Sequence, residues 1–160
     1  MAYPRFQRSR DFKIDIVNTQ FTISSTSWVN ATGTSDIVLP AQSGDIIEVQ
    51  MEARYDGQTA GDEYKFVDVA TIVGGSPVNY FGNGSADPAA GEGIHSWYGS
   101  GQGIGDYQSV GGGSVRELVV GDISNGAVTL RVRVRGDTVT GRDIVIYKWW
   151  AKNLGPQDPN

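Results

Sequence analysis

The chain of 160 residues contains no cysteine, which excludes disulfide bonds and thiolate metal sites. This absence suits a protein that is assembled inside a cell. Outside the cell, its stability would have to come from packing or oligomerisation. Long apolar runs are missing too: none approaches the ~18 residues of a membrane span, and the N-terminus lacks the apolar region of a secretory signal. Because the net charge is −5, a general nucleic-acid role is disfavoured. The expected partners include neither membrane nor nucleic acid.

Catalytic and ligand-binding motifs are also scarce. His95 is the only histidine, and no Gly-x-Ser-x-Gly, Gly-x-Gly-x-x-Gly or Walker pattern occurs. A loose group of carboxylates around a predicted turn suits either calcium binding or simple solvation: Asp56, Asp62, Glu63 and Asp68. The spacing of this group does not match an EF-hand loop, and no two of its acids stand out as a glycosidase pair. The sequence predicts no enzymatic activity, no cofactor and no metal ion.

Alternating apolar and polar residues dominate the chain on both sides of a glycine-rich stretch, and no segment has a convincing helical period. The clearest strand places four apolar residues on one face: Ile47, Val49, Met51 and Ala53. Two short strands are expected at residues 12–16 and 21–23, another stops at Pro40, and Asn125-Gly126 predicts a hairpin. Eight to ten short strands predict one jelly-roll-like antiparallel β-sandwich over residues 12–154, with a basic arm at 1–11 and a tail at 155–160.

Glycine is concentrated in residues 82–113, which hold eleven of the 22 glycines. That density excludes a helix and predicts that no strand there runs long. We expect ordered, outward-facing loops held down by apolar contacts, and the predicted loop contacts are His95, Trp97, Tyr98 and Tyr107. For His95, packing against neighbouring aromatic rings is the simpler interpretation, and a pH-sensitive binding contact is the alternative.

The last predicted strand is apolar on both faces. Strict alternation sorts its bulky residues into two sets: Ile144, Ile146 and Trp150 on one side, and Val145, Tyr147 and Trp149 on the other. Such a strand is normally buried on both sides, so either a loop covers it or its outer face meets another subunit. We favour the second interpretation, with a subunit interface formed by Tyr147, Trp149 and Trp150.

Positive charge is placed unevenly along the chain. Residues 1–15 carry a net charge of +2 on a protein whose remainder is acidic, which fits either a docking arm for an acidic surface or an ordinary solvated terminus. The arm residues predicted to dock are Tyr3, Pro4, Arg5, Phe6, Arg8 and Arg10. A second basic group on one face of a strand is interpreted as solvent-facing and paired with acids such as Glu48 and Glu52; it consists of Arg131, Arg133 and Arg135.

Four sequence blocks stand in order along the chain: AQSGDIIEV (41–49), DVATIVGGSPVNYF (68–81), DISNGAVTLR (122–131) and NLGP (153–156). Together they resemble small virion proteins of tailed bacteriophages, especially those that infect actinobacteria, and the resemblance covers residues 25–156. It implies a jelly-roll-like module that is trimeric and has no enzymatic activity, and it supplies no catalytic residues. Similar modules occur as capsid decoration proteins and as tail or fibre-tip proteins.

Of these two virion roles, a short basic arm favours a protein that clips directly onto a shell, because a fibre tip usually follows a long stalk. The sequence therefore predicts a capsid decoration protein, assembled in the host cytoplasm and located in the virion. Its expected partners are the major capsid protein or another virion protein, and further copies of itself. The alternative is a tail or fibre-tip adhesin that contacts host glycan through residues 82–113, and a hydrolase is a distant third.

Overall fold

Two antiparallel β-sheets pack face to face in the structure, a computed structural model that describes residues 11–55, 62–82, 95–100, 108–136 and 142–156. The strands are β1 (Phe12–Ile23), β2 (Val29–Asn30), β3 (Ile37–Pro40), β4 (Asp45–Tyr55), β5 (Asp62–Val73), β6 (Ser76–Tyr80), β7 (His95–Ser100), β8 (Gln108–Glu117), β9 (Ile123–Ser124), β10 (Ala127–Gly136) and β11 (Arg142–Pro156). A 3₁₀ turn, Val120–Asp122, precedes β9. Within the described ranges, no helix is long and apolar enough to cross a membrane.

The strand order is that of a jelly roll. The first sheet has the order β1-β11-β4-β8, and the second sheet has β10 and β5 at its centre, with β2 and β3 along β10 and with β6 and β7 along β5. If β2 with β3 and β6 with β7 each count as one position, the two orders become 1-8-3-6 and 2-7-4-5. This is the double Greek-key arrangement of jelly rolls, and the predicted fold class is confirmed.

The main core lies between the sheets and follows the period-2 alternation of the strands. The predicted apolar face of β4 is buried, with Ile47 and Val49 fully inaccessible to solvent. Facing residues from the second sheet are contributed mainly by β10 and β5: Val128, Leu130, Val132, Val134, Val67 and Val69. The dominance of branched aliphatic side chains at these positions matches what a pleated, buried surface accommodates best.

The strand buried on both faces is β5. Its side facing the first sheet joins the main core, whereas its opposite side forms a second cluster with Trp28 and Tyr80, whose rings lie 5.2 Å apart. The members of this cluster from β5 are Phe66, Ala70 and Ile72. A doubly buried strand was expected at the end of the chain, and it lies instead at the centre of the second sheet.

Several predicted strand ends and turns are confirmed. The strand β3 ends at Pro40, and a tight hairpin joins β9 to β10 at Asn125 and Gly126, whose φ angles are 52° and 72°. Positive φ at both central residues is the requirement of a type I′ turn, which is why Asn-Gly is so strong a hairpin signal. Local turn chemistry was therefore sufficient to place these boundaries.

The two strands predicted at residues 12–16 and 21–23 are one continuous strand, β1. Phe12, Ile14 and Ile16 point to solvent, whereas Phe21 and Ile23 pack toward the core. The expectation of two strands is wrong because odd-numbered and even-numbered positions of a single strand face opposite sides of the sheet. The apolar residues at the start of β1 are therefore left on the surface.

The prediction that no strand runs long in the glycine-rich stretch is wrong. The ten-residue strand β8 passes through Gly111, Gly112 and Gly113 and pairs with β4 along its whole length. A Cβ atom at Gly113 would lie 2.7 Å from Cγ of Gln50 and 2.9 Å from the carbonyl oxygen of Val49. Glycine is needed there because β4 approaches closely, and the hydrogen-bonded ladder outweighs its weak strand preference.

The strand β11 contains a bulge that changes which side chains face the core. Ile146 pairs with Ala53 and Lys148 pairs with Glu52, so Tyr147 is an extra residue. As a result Trp149 is fully buried, and its Nε1 donates a hydrogen bond to Oδ2 of Asp15 at 3.1 Å. The predicted place of Trp149 in a subunit interface is therefore wrong, because its indole belongs to the core of its own chain.

The strand β11 also continues further than predicted. A second bulge lies between Asn153 and Gly155, and Gly155 and Pro156 still pair with Ile46 and Asp45 of β4. The tail predicted from residue 155 therefore begins too early, because Gly155 adopts a φ of 80° that lets the chain absorb the extra residue without leaving the sheet.

We expect Trp149→Ala to lower the free energy of unfolding by ~3–5 kcal/mol, the range for deleting a buried large aromatic side chain. Urea denaturation measures this change. The matched control is Trp150→Ala, since Trp150 is the adjacent residue and only half-buried, and its loss should be much smaller. Equal losses for the two variants would contradict the bulged register of β11.

Candidate interaction surfaces

The solvent-facing side of the first sheet presents its side chains in rows, and the three rows that begin at Phe12, Ile14 and Ile16 of β1 are here called the outer face. The backbone register sets these rows across the strands in the order β1, β11, β4 and β8. The rows are Phe12, Lys152, Glu48 and Val115; then Ile14, Trp150, Gln50 and Gly113; then Ile16, Lys148, Glu52 and Gly111. On the outer face β1 therefore contributes apolar side chains, β11 two lysines and a tryptophan, β4 two glutamates and a glutamine, and β8 a valine and two glycines.

The edge formed by β1 is an apolar ridge. Phe12, Ile14 and Ile16 are 50%, 47% and 75% exposed, and the Phe12 ring lies 5.5 Å from that of Trp150. Three large apolar side chains in a row on one edge strand are unusual for a surface that only meets water, because contiguous apolar patches tend to mark contact sites.

A hollow crosses the outer face from β11 to β8. A depression of about 610 Å³ opens over the backbone of Gly112 and Gly113, and its other lining residues include Gln50 and Glu52 of β4 and Lys148 and Trp150 of β11. A second depression, of about 390 Å³, adjoins it over Gly113 and Val115. We call these two depressions together the glycine hollow.

The centre of the outer face carries balanced charge. Lys148 Nζ lies 2.8 Å from Oε2 of Glu52, and Gln50 Nε2 donates a hydrogen bond to Oε1 of Glu48 at 3.1 Å. With Lys152 on the same face, β11 contributes two cations and β4 two anions. The outer face is thus formally neutral on a chain whose net charge is −5.

Of the predicted interface residues, Trp150 lies on the outer face and Tyr147 lies at the bulge, both partly exposed. Sequence reasoning missed the apolar ridge and the glycine hollow. The available signal was the switch of apolar residues from positions 12, 14 and 16 to positions 17, 21 and 23, which makes both sides of one long strand apolar. The ridge and the hollow share one surface because of the strand order, which the sequence pattern does not reveal.

The predicted loop contacts are placed only in part. His95, Trp97 and Tyr98 lie in β7, which pairs with β5, so their predicted placement in a loop is wrong. The glycine-rich stretch supplies a strand here because β5 offers a long free edge beyond β6. Tyr107 and arm residues 1–10 lie outside the described residues, and the functional roles of all these side chains stay predictions.

The basic residues of β10 have partners in their own sheet. Arg131 forms a two-pronged ion pair with Asp36, with both N–O distances at 2.7 Å. The guanidinium of Arg135 lies 5.8 Å and 5.5 Å from the ring centres of Trp28 and Phe66. The predicted pairing with Glu48 and Glu52 is wrong, because those acids lie on β4 in the first sheet.

Only some of the acidic residues predicted to lie together around a turn are among the described residues. Asp62 and Glu63 begin β5, Asp68 is buried further along this strand, and Asp56 lies outside the described residues. In the parts of the chain that the structure covers, no three histidine, cysteine or acidic side chains gather to hold a metal ion.

Asp68 anchors the start of the glycine-rich stretch. Its carboxylate accepts hydrogen bonds from the backbone N–H of Val69, at 2.7 Å, and of Gly82, at 2.9 and 3.1 Å to its two oxygens. Burial raises the pKa of Asp68 from the ordinary 3.8 to about 7, against the smaller opposing effect of these backbone donors. The guanidinium of Arg133, its register partner, donates to Asn30 and to the carbonyl oxygen of Trp28.

We expect stability to fall as the pH rises from 4 to 7, because the folded state binds the Asp68 proton more tightly than the unfolded chain does. Each pKa unit corresponds to ~1.4 kcal/mol, so this group alone contributes a loss of about 4 kcal/mol over that range. Denaturant unfolding at a series of pH values measures it. Asp68→Asn should flatten the profile, and an unchanged slope in this variant would contradict the assignment.

Comparisons with known proteins give distant structural likenesses. No protein-family model matches the chain, and no curated protein matches it. Among solved structures, a chain of the infectious bursal disease virus particle aligns over 92% of this chain and 32% of its own length, with 9% identity and a TM-score of 0.45. A pentameric capsid protein from metagenomic phage sequences aligns over 86% of this chain and 60% of its own, with 12% identity and a TM-score of 0.29.

A third likeness is to the CBM22-1 and GH10 modules of Clostridium thermocellum xylanase 10B, whose structure holds xylohexaose. It covers 91% of this chain and 30% of that chain, with 9% identity and a TM-score of 0.39. The chain thus spans about a third of the viral chain and of the xylanase chain. At these identities and TM-scores the likenesses carry no argument about function, and the jelly-roll assignment rests on the strand order itself.

Proposed function

We propose that this chain is a non-enzymatic structural protein of a bacteriophage virion, and specifically a capsid decoration protein that attaches to the outside of the head as an oligomer. The observation that carries the proposal is the apolar surface of the outer face. Of the eight large hydrophobic residues that are exposed among the described residues, four lie there: Phe12, Ile14, Ile16 and Val115. A surface of this kind is suited to being covered by protein.

The basic arm supports attachment to a larger acidic surface. Residues 1–10 join the chain at the start of β1, next to the apolar ridge. Arg5, Arg8 and Arg10 supply charge on an otherwise acidic protein, and Tyr3 and Phe6 supply apolar contacts. The arm is thus suited to the shell, and the outer face is suited to neighbouring copies. The resemblance to phage virion proteins implies three copies, and the outer face itself favours two.

Deletion of residues 2–10 should abolish attachment to heads that lack the protein, because it removes the basic and apolar groups of the arm. Co-sedimentation with purified heads measures attachment, and circular dichroism should show an unchanged fold. The matched control removes residues 157–160 from the other end of the chain. Normal attachment of the arm deletion, with the control also attached, would overturn the proposed role of the arm.

A receptor-binding module of a tail or fibre tip is the alternative, and β7 is the element that separates the two functions. Trp97 is the backbone register partner of Lys65, which is fully buried, so this part of β7 lies along a buried section of β5. A decoration protein is expected to use Trp97 for packing, whereas a receptor-binding module is expected to use it to contact sugar.

We therefore expect Trp97→Ala to lower the melting temperature, since the change would remove a large side chain beside a buried strand section. Thermal unfolding and host adsorption are measured on the same variant. Loss of adsorption at an unchanged melting temperature would instead support the receptor-binding module and overturn decoration.

A further inference from the structure

The two halves of the outer face are complementary to each other. Across the sheet, β1 offers large apolar side chains, β11 offers Lys148 and Lys152, β4 offers Glu48 and Glu52, and β8 offers the glycine hollow. Bulk lies along β1, and the glycine hollow extends from β11 to β8, with the cations on β11 and the anions on β4. A surface built in this order fits a second copy of itself.

We propose that the outer face binds the outer face of a second copy, with a twofold axis that runs parallel to the strands between β11 and β4. The rotation places β1 of one copy over β8 of the other, and β11 over β4. Each contact then occurs twice, as a twofold interface requires. This proposal deepens the assembly role proposed above and rests on it.

The apolar contacts of the pair follow from the three rows. The axis keeps each row opposite the same row of the other copy, so Ile16 meets Gly111, and Ile14 meets Gly113 with the Gln50 side chain that lies over it. Phe12 meets Val115, which is 61% exposed. The ridge of each copy thus enters the glycine hollow of the other, and water leaves both apolar surfaces.

The charges of the pair are matched in the same way. Lys152 of one copy meets Glu48 of the other, and Lys148 meets Glu52. Because Lys148 and Glu52 already form an ion pair within each chain, pairing produces a network of alternating charges. An axis perpendicular to the strands would instead place lysines over lysines and glutamates over glutamates, which is repulsive.

The size of the outer face sets the expected strength of the pair. Four strands spaced ~4.8 Å apart and three rows of residues cover roughly 400 Å² per copy, against about 800 Å² per partner in a standard stable interface. We therefore expect a reversible, concentration-dependent dimer. Crowding of copies on a common surface would favour it by raising their effective concentration.

The sharpest test is a cross-link that only the proposed pair allows. The natural chain has no cysteine, so the double variant Phe12→Cys/Val115→Cys presents two thiols, at opposite edges of one sheet. A bismaleimide that matches the ~10 Å between packed sheets should join the two thiols across copies and give a covalent dimer on a denaturing gel. Phe12→Cys alone should give none, because the thiols that the two copies carry at position 12 lie at opposite edges of the pair.

A matched pair of charge insertions tests the same surface in solution. Ile16→Asp places a carboxylate on the ridge, at a side chain 75% exposed, and should weaken dimerisation about tenfold or more. Val120→Asp makes the same change at an 80% exposed position on the 3₁₀ turn and should leave dimerisation unchanged. Analytical ultracentrifugation over a range of concentrations measures the dissociation constant of each.

The outcomes separate this proposal from the proposed function. A monomer at all concentrations, or a trimer whose mass Ile16→Asp does not change, would overturn the face-to-face pair. If Ile16→Asp abolishes attachment to heads but the oligomer persists, the outer face belongs to another virion protein, and the pair is overturned while decoration stands. If the arm deletion attaches normally and the cross-link still forms, the proposed role of the arm is overturned while the pair stands.

Discussion

The register of β11 against β4 is the constraint on which both faces of the first sheet depend. Because Tyr147 is an extra residue, the residues before and after it alternate in opposite phase. Trp149 therefore follows Ile146 into the core, while Lys148 and Trp150 turn outward. With uninterrupted alternation Lys148 would lie among core residues, where an unpaired ammonium group is costly. One inserted residue thus determines that Trp149 faces the core and that Lys148 and Trp150 lie on the outer face.

Among the described residues, three buried carboxylates hold connections between strands. Asp45, Asp68 and Asp122 are essentially inaccessible to solvent, and each accepts a hydrogen bond from the backbone of a connection. The donors are the amides of Gln42, at 3.0 Å, Gly82, at 2.9 Å, and Val119, at 2.9 Å. A jelly roll needs many irregular connections between its strands, and the backbone groups of these connections need partners once buried. An aspartate side chain can accept these backbone hydrogen bonds where the chain has no regular secondary structure.

The sequence predicts the fold well where one residue type has one local consequence. The alternation of Ile47 and Val49 marks β4, and Asn125-Gly126 marks the hairpin before β10. Prediction fails where the outcome depends on how two distant segments pair with each other. The bulge at Tyr147 has no signature of composition, so strict alternation misplaces Trp149. The strand through Gly111–Gly113 forms because β4 supplies a ladder, which overrides a local preference against strands. The outer face could not be predicted for the same reason, since its rows exist only once β1 and β8 are placed at opposite edges of the sheet.

Three consecutive glycines in a strand carry a conformational cost. Glycine in a strand interior is destabilising by roughly 0.5–1 kcal/mol relative to alanine, and β8 accepts this at Gly111, Gly112 and Gly113 in succession. Close packing against Gln50 and Val49 explains Gly113, whereas the hollow opens beside Gly112. An empty surface obtained at a cost in stability is useful only if something enters it. The jelly-roll order 1-8-3-6 places β1 and β8 at opposite edges of this sheet, so Ile14 and Ile16 do not lie over Gly113 and Gly111 of their own chain. In the proposed pair, a second copy brings these residues together.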